Sequence, residues 1–327
     1  MMRIEQQDRQ PSEFQQPVDE HSLRRELSRA LADDTVIKVT ELKAGLFNNT
    51  YRVDTEKNAY ILKVAPHPSA QVLFNEQNLM QQEKMIAPIL QSLSPLIPRY
   101  LSFFSIDGRD ASLQTFVEGR LWHNVIEELA EAENTQLWQQ LGTFAKMLHG
   151  YRGRQFGYPS SARLFDHWSE FIKYNVTGLI EDCQRHNVLH DEVKTYWQML
   201  PQFSKFLDQV NDPKLLHGDL WPRNVLIEGS GDNIHLKAVF DAERAFWGDP
   251  VADWVLILYG VPNAFWTGYG ENLLQTSHST RIAIYKGMYF IVNILECVRF
   301  ESSDKTYREL LSGINSELAG YLDSHSQ

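Results

Sequence analysis

The spacing of hydrophobic residues changes after about residue 119, and this change predicts two kinds of structure. Before residue 119, short runs of β-branched and aromatic residues alternate with turn residues. Such runs favour β-strands, and we interpret the first three as an antiparallel meander. These three runs are Val36–Val39, Thr50–Val53 and Tyr60–Val64.

Two further runs and two helical patterns complete the first part of the chain. Residues 99–106 and 109–117 flank an Asp107-Gly108 pair, which is typical of tight β-hairpin turns, so the sheet is predicted to have five strands. Ser22 can cap a short helix whose apolar positions recur every four residues. A second helix is predicted to open at residues 66–69 and to run to about Lys84.

After Gly119 the apolar residues recur at three- and four-residue steps, which predicts helices over 134–149, 165–185, 190–209, 280–300 and 305–322. Residues 215–241 return to short strands around a loop. The pattern therefore predicts an α+β chain with a small sheet-rich lobe at 22–118 and a larger, mainly helical lobe at 119–327. Residues 1–21 are rich in Gln, Pro and charge and are predicted to be a flexible tail.

The composition narrows the class of protein. The 327 residues include 31 basic and 42 acidic side chains, so the net charge of −11 argues against a nucleic-acid partner. Cys183 and Cys297 form neither a disulfide framework nor a zinc motif. No apolar run resembles a signal peptide or a membrane span. We therefore expect a cytoplasmic protein with no membrane association, and nothing implies a protein partner.

The segment His217-Gly218-Asp219-Leu220-Trp221-Pro222-Arg223-Asn224 carries the clearest chemical signal. It places Asp219 and Asn224 five positions apart on a loop between two apolar runs, and Asp241 ends the next apolar run. Phosphoryl transfer needs a carboxylate that orients a hydroxyl group, and an amide and a second carboxylate that hold magnesium. This layout predicts a kinase.

These residues resemble the aminoglycoside phosphotransferase family, which belongs with the choline and fructosamine kinases to the wider protein-kinase-like fold. The resemblance extends over residues 36–300, and the loop matches the H-G-D-x-x-x-x-N motif of the family. It implies a bilobal fold that binds ATP and Mg²⁺ between its lobes. By this resemblance, Asp219 accepts a hydrogen bond from the attacking hydroxyl group, and Asn224 and Asp241 are the magnesium ligands.

The resemblance also implies a nucleotide site in the first lobe. Lys63 ends the third strand, where the family keeps its phosphate-binding lysine, and Glu76 lies thirteen residues later in a predicted helix that allows the two to pair. Residues 45–50 stand where the family covers the phosphates, and residues 114–119 stand where the lobes join. The nucleotide-binding residues implied in this way are Lys63, Glu76, Gly45, Asn48, Asn49, Thr115 and Val117.

Three features separate the chain from protein kinases. Glu243 occupies the glycine position of the Asp-Phe-Gly motif, and its role is open between a substrate amine and the metals. Trp221 replaces a lysine that protein kinases place near the transferred phosphate, which favours a small-molecule acceptor. No activation segment separates Asp241 from Asp249. Asp253 is expected to support the catalytic loop through backbone N–H groups.

The acceptor is expected to be a small hydroxylated molecule, and the resemblance favours an aminoglycoside-like antibiotic. The alternative is a metabolic kinase with a choline-, ketosamine- or sugar-like acceptor, and a third possibility is a nucleotide-binding pseudokinase scaffold. Acidic residues in the pocket would favour the aminoglycoside, and an aromatic cage would favour a trimethylammonium group. The candidate acids are Asp166, Glu170, Glu271 and Glu296. Tyr285 and Tyr289 are spaced as a helix face and are expected in the core.

Overall fold

The predicted antiparallel meander is confirmed in the computed structural model, which describes residues 2–10, 13–43, 45 and 47–325. Its strands are β2 (Val36–Glu41), β3 (Asn49–Thr55) and β4 (Ala59–Val64). Side chains alternate along β3, so that Tyr51 and Val53 are buried while their neighbours are partly exposed. This period of two places one face of the sheet against a hydrophobic cluster.

The predicted hairpin is also confirmed, as strands β5 (Tyr100–Ile106) and β6 (Arg109–Thr115). Asp107 and Gly108 both have positive φ values, 54° and 70°. Two left-handed residues give the turn the twist that joins adjacent antiparallel strands. Strand β6 also pairs with β4, so the hairpin continues the meander.

The sheet has six strands rather than the predicted five, because residues of the expected tail add one. Strand β1 (Arg3–Glu5) pairs in parallel with β2, and the strand order is β1-β2-β3-β4-β6-β5. The following helix α1 (Glu20–Ala30) is capped by Asp19, whose carboxylate accepts the Ser22 amide at 2.7 Å. The prediction of a loose tail is therefore wrong for these described residues.

The second predicted helix begins later than expected. Residues 74–76 form a single 3₁₀ turn (Phe74–Glu76), and helix α2 spans Leu79–Leu93. Asn78 separates them with a φ of 59°, a left-handed conformation that a right-handed helix cannot include. This shift changes which glutamate faces Lys63.

The rest of the chain is mainly helical, as predicted, with two small sheets ordered β10-β9-β7 and β11-β8. The strands are β7 (Arg120–Leu121), β8 (Lys214–Leu216), β9 (Val225–Glu228), β10 (His235–Val239) and β11 (Phe246–Gly248). The helices are α3 (Trp122–Val125), α4 (Glu131–His149), α5 (Trp168–Arg185), α6 (Asp191–Met199), α7 (Ser204–Leu207), α8 (Asn263–Tyr269), α9 (Leu273–Thr276), α10 (Ser279–Arg299) and α11 (Lys305–His325).

Two hydrophobic clusters form the core. The smaller contains residues between Val18 and Leu113, and the larger contains most of the buried hydrophobic residues from Trp122 onward. Helix α2 contributes Ile86 and Leu90 to the larger cluster, so it packs on the second part of the chain although it precedes residue 119. The lobe boundary at 118/119 stays a prediction.

Tyr285 lies in the core, as expected from its spacing, and Tyr289 is partly buried and packs against it. Tyr285 donates to Asp249 Oδ2 at 2.8 Å, and Tyr289 donates to the Ala252 carbonyl at 2.8 Å. Both hydroxyl groups therefore hold the segment that leads to Asp253. Among the described helices, none combines the length and the apolar character that crossing a lipid bilayer requires.

A buried histidine gives the fold a testable pH dependence. His149 ends α4, and burial lowers its pKa to about 3, with Lys146 and Lys214 adding to the effect. The unfolded chain binds this proton near pH 6.5, so between these pH values it binds more protons than the folded chain. The free energy of unfolding is therefore expected to fall by about 2 kcal/mol between pH 6.5 and 5 from this group alone.

Urea denaturation at pH 7.5 and pH 5 measures this effect. The His149→Gln variant is expected to lose less stability on acidification than the wild type, whereas the exposed control His235→Gln is expected to behave like the wild type. An equal loss in all three proteins would contradict the prediction.

Candidate active site

Contacts at Gly218 fix the loop that carries Asp219. Gly218 has a φ of 77°, and a β-carbon added there would lie 2.1 Å from the Arg244 carbonyl oxygen, so this position requires glycine. The Asp253 carboxylate accepts the Gly218 amide, and Trp254 Nε1 donates to the Gly218 carbonyl at 3.0 Å. The expected support of this loop by Asp253 is confirmed.

Asp219 and Asn224 are joined directly within this loop. Asn224 Nδ2 donates to the Asp219 carbonyl at 2.9 Å and to Asp219 Oδ2 at 2.8 Å. Burial raises the pKa of Asp219 to about 7, the Arg244 guanidinium opposes this rise, and Asp241 adds to it. A carboxylate with a pKa near neutrality is suited to accept a proton from a hydroxyl group.

Lys63 and Asp241 meet although 178 positions separate them. Lys63 lies in β4 between Thr50 of β3 and Ser112 of β6, and its Nζ lies 2.7 Å from Asp241 Oδ1. Burial opposes the charge of Lys63, but Asp241 and other carboxylates outweigh it and raise the lysine pKa well above its usual value. The lysine is therefore a fixed ammonium group at the edge of the candidate site.

The glutamate that pairs with Lys63 is Glu83 and not the predicted Glu76. Glu83 Oε1 accepts hydrogen bonds from Lys63 Nζ at 2.9 Å and from the Tyr100 hydroxyl at 2.6 Å. Because α2 begins only at Leu79, Glu76 precedes the helix, whereas Glu83 lies on its second turn. The Glu83 side chain is fully buried.

Glu76 instead holds two arginines together. It accepts two hydrogen bonds from Arg299, at 2.7 and 2.5 Å, and its Oε1 lies 3.5 Å from Arg244 Nη2. Burial alone would raise the pKa of Glu76, but the hydrogen bonds and charges of Arg299 and Arg244 lower it. Glu76 therefore links α10 to the segment after Asp241.

Asn48 and Glu243 connect the loop between β2 and β3 with the turn after Asp241. Asn48 Nδ2 donates to Glu243 Oε2 at 2.6 Å, and both side chains are buried. Burial and the nearby Asp241 raise the pKa of Glu243 to about 8. Glu243 therefore holds the loop between β2 and β3, because its carboxyl group contacts Asn48.

Asn49 does not face the site. Its Nδ2 donates to Glu41 Oε1 at 2.7 Å, and its Oδ1 accepts from Arg109 Nη2 at 2.5 Å. The side chain is fully buried, so its predicted contact with a nucleotide is wrong. Gly45 lies in the same loop, where a β-carbon would lie 3.0 Å from the Asn48 carbonyl oxygen.

In the segment between the two lobes, the sheet occupies the first backbone donors. The Thr115 amide already donates to the Arg99 carbonyl at 2.9 Å, and the Phe116 amide donates to the Ala59 carbonyl at 3.1 Å. Among the described residues, the Val117 amide has no such acceptor. The Thr115 amide is therefore occupied by the sheet, and the Val117 amide is among those of this segment that stay open to a ligand.

The donor atoms present fit magnesium. The Nδ2 of Asn224 donates to Asp219, so the Oδ1 of Asn224 is available to a cation. The Asp241 side chain is one-third exposed, and one of its carboxylate oxygens contacts Lys63. Within the part of the chain that the structure describes, no group of three or more His, Cys, Asp or Glu is arranged to hold a metal. Magnesium usually takes one or two protein carboxylates and completes its shell with phosphates and water.

An aromatic cluster adjoins Asp219. The Trp221 ring lies edge-on to Trp254 and Tyr259, with centroid distances of 5.2 and 5.6 Å. Tyr259 is exposed and ends a π-helix (Val255–Tyr259), a form of helix often found at functional sites. The Arg223 guanidinium lies 5.2 Å from the Trp221 ring centre.

Most of the acids considered for an acceptor pocket lie elsewhere. Asp166 bonds to Gln155 on the surface, Glu170 is exposed, and Glu271 forms an exposed ion pair with Lys146. Glu296 is the exception. It is partly buried, and its charge acts on Arg244.

Sequence reasoning missed Glu83 as a partner of Lys63 and Tyr100 as a partner of Glu83. One signal was available for Glu83. It falls between Met80 and Ala87 at helical spacing, on the face of α2 that is buried and mainly apolar. A glutamate on the buried face of a helix needs a charged partner, and Lys63 is that partner.

A model of the phosphotransferase enzyme family matches residues 38–290, which is more than half of the chain. No curated protein matches the sequence. A putative fructosamine-3-kinase from Haemophilus somnus 129PT is 16% identical, with 89% of this chain and 96% of that chain covered and a TM-score of 0.62.

Two aminoglycoside-related structures are similar in the same way. The GDP complex of aminoglycoside 2'-phosphotransferase-IIIa is 17% identical, covers 91% of this chain and 99% of its own, and has a TM-score of 0.62. The streptomycin–ATP–APH(2")-IIa ternary complex is 15% identical, covers 89% and 99%, and has a TM-score of 0.56. At these identities the similarity establishes the fold, and the predicted bilobal, protein-kinase-like α+β fold is confirmed.

Proposed function

The chain belongs to the phosphotransferase enzyme family and is a kinase of small molecules, and we propose a specific reaction for it. In this reaction it transfers the γ-phosphoryl group of ATP to a hydroxyl group of a small polyhydroxylated acceptor. The observation that carries the proposal is the ion pair between Lys63 and Asp241, at 2.7 Å. Asp219, whose carboxylate accepts a hydrogen bond from Asn224, lies beside this pair. These four side chains come from three separate parts of the sequence, and phosphoryl transfer requires all of them together.

Lys63, Val117 and the loop at Asn48 form the proposed nucleotide side. The Lys63 ammonium group contacts the α- and β-phosphates and is oriented by Glu83. The Val117 amide donates to the base. A magnesium ion, when bound by Asn224 and Asp241, would neutralise charge on the phosphate oxygens.

Asp219 performs the proposed proton chemistry on the acceptor side. Its carboxylate accepts a hydrogen bond from the attacking hydroxyl group and takes the proton as the new P–O bond forms and the bond to the leaving ADP breaks. Arg244 keeps Asp219 more acidic than burial alone would make it. Buried His217 is not suited to this role, because burial lowers its pKa to about 4.

The surroundings of Asp219 favour a polyhydroxylated acceptor over a quaternary ammonium compound. Aromatic rings that meet edge to face offer a flat surface to a sugar ring and could also cage a cation. The Arg223 guanidinium over Trp221 places a positive charge at this surface, which disfavours a trimethylammonium group. We propose an aminoglycoside-like or other hydroxylated antibiotic as the acceptor, because structures of aminoglycoside phosphotransferases are among those with the same fold.

A ketosamine- or sugar-like metabolite is the second candidate. Only Glu296 of the four acids considered acts on Arg244, so the acidic lining that would favour a polycationic aminoglycoside is sparse. A structure of a putative fructosamine-3-kinase is among those with the same fold. A cytoplasmic location is proposed for either function, and both cysteines are buried free thiols.

Phosphate transfer from Mg-ATP to a panel of acceptors tests the proposal. The panel comprises aminoglycosides, other hydroxylated antibiotics, ketosamines, sugars and choline, and we expect transfer to a hydroxylated antibiotic or ketosamine but not to choline. Transfer to choline would contradict the assigned acceptor class. No transfer to any acceptor, with Mg-ATP still bound, would favour the pseudokinase scaffold instead.

A further inference from the structure

The N-terminal segment lies against the loop that covers the proposed nucleotide site. We name residues 2–10 and 13–19 the N-terminal strap. Its β1 strand pairs with β2, and Gln6 closes it by exchanging two hydrogen bonds with the Val18 backbone, at 2.9 and 3.0 Å. Val18 is buried in the smaller hydrophobic cluster. The strap is therefore part of the folded first lobe.

A buried ionic contact anchors the strap at one end of the loop. Glu41, which ends β2, accepts hydrogen bonds from the Gln7 amide at 2.8 Å, from Arg9 at 2.6 Å and from Asn49 at 2.7 Å. The side chains of Arg9 and Glu41 are 8% and 1% exposed. A buried carboxylate with three donors holds its neighbours in one geometry. Both ends of the loop, Glu41 and Asn49, are thus fixed to the strap.

Gln15 reaches the middle of the loop. Its Nε2 donates to the Gly45 carbonyl at 3.1 Å and to the Asn48 carbonyl at 2.8 Å, and its Oε1 accepts from Arg9 at 3.2 Å. Arg9 therefore orients the Gln15 amide so that its N–H groups face the loop. The Asn48 side chain then donates to Glu243 on the other side of the site.

The residue before Gln15 contacts both parts of the molecule. The Phe14 ring lies 5.5 Å from the Phe47 ring of the loop, and the Arg299 guanidinium lies 4.6 Å from the Phe14 ring centre. Arg299 belongs to α10 and pairs with Glu76. The strap therefore connects the loop with the helical part of the chain.

We propose that Gln15 is a positioning residue, which holds the backbone of the loop at Gly45 and Asn48 over the phosphates of the bound nucleotide. The proposal rests on the proposed function, because it assigns the loop a nucleotide. Gln15 itself contacts the loop carbonyls and not the reacting atoms. Its two donors fix a segment that contains only one glycine and therefore cannot rely on a glycine-rich backbone to approach phosphate.

Three variants separate this role from a general effect on folding. Gln15→Ala removes both donors, and Gln15→Glu keeps the size of the side chain but cannot donate. Gln16→Ala is the matched control, because the Gln16 side chain donates to the carbonyls of Gln10 and Glu13 within the strap. Urea denaturation establishes that each variant is folded.

Two measurements are made on each full-length protein. Hydrogen exchange of peptides that span residues 42–50, without nucleotide, is expected to accelerate in both Gln15 variants and to stay unchanged in Gln16→Ala. The Kd and KM for Mg-ATP are expected to rise by about five- to tenfold in the Gln15 variants, since two hydrogen bonds are lost, while the KM for the acceptor changes little.

The outcomes distinguish this proposal from the proposed function. A wild type that transfers phosphate, together with Gln15 variants whose exchange and Mg-ATP affinity equal those of the wild type, overturns the role of Gln15 alone. Equal effects of Gln16→Ala and Gln15→Ala also overturn it. A wild type that binds no Mg-ATP overturns the proposed function, and the role of Gln15 with it.

Discussion

Replacing Asp219 with asparagine is expected to lower turnover by roughly 10²–10⁴ and to leave the Kd for Mg-ATP within a few-fold of the wild-type value. The substitution keeps the size of the side chain but removes the carboxylate that we propose takes the proton of the acceptor. Lys63 and Asp241, which are proposed to face the nucleotide, remain paired with each other. Steady-state kinetics with a transferred acceptor and equilibrium binding of Mg-ATP measure the two effects separately.

The control for this variant is Asp232→Asn, which changes an exposed aspartate in a surface turn. It is expected to retain wild-type turnover. If Asp219→Asn also retained wild-type turnover, Asp219 would not be the group that accepts the proton. If Asp219→Asn lost both turnover and Mg-ATP binding, the loop that carries Asp219 would act mainly in nucleotide binding.

Replacing Glu76 with alanine is expected to lower the free energy of unfolding by about 3 kcal/mol, the low end of the cost of breaking a buried ion pair, because its arginines are partly exposed. Arg299 and Arg244 would lose their shared carboxylate, and the Leu73 amide would lose its acceptor at 2.9 Å.

Glu83→Gln, in contrast, is expected to raise the KM for ATP by roughly tenfold, since Lys63 would lose a charged partner.

Urea denaturation and ATP kinetics of both variants test this division of roles, with the exposed Glu181→Ala as the control. A tenfold rise in the KM for ATP in Glu76→Ala, with no rise in Glu83→Gln, would restore the pairing expected from the sequence. A loss of stability in Glu181→Ala equal to that in Glu76→Ala would show that the effect is not specific to the buried carboxylate.

The features that the sequence predicted correctly depend on short-range signals. The meander and the hairpin follow from alternation and from Asp107-Gly108, both of which act within a few residues. The loop proposed to be catalytic is recognisable because Asp219 and Asn224 lie five positions apart on one turn. In each case the residues that determine the structure are neighbours in the chain.

The features that were missed depend on partners far away in the sequence. In the sequence, Asn49 has the character of a loop residue. In the structure it is buried, because Arg109, sixty positions later, donates a hydrogen bond to its side chain. Strand β1 has three residues and no periodic pattern, and it forms because the edge of β2 is open to it. The late start of α2 after the left-handed Asn78 leaves Glu76 outside the helix, and the sequence pattern does not indicate this conformation of Asn78.

Asp241 has a left-handed backbone conformation, with φ 69° and ψ 48°, and this determines how its substitutions should be interpreted. Aspartate and asparagine tolerate this conformation better than most other residues, whereas alanine would add a backbone penalty of roughly 1 kcal/mol. An alanine variant would therefore combine two defects, a lost carboxylate and a distorted turn. Asparagine removes the charge and keeps the turn, so it is the substitution that isolates the chemistry of this position.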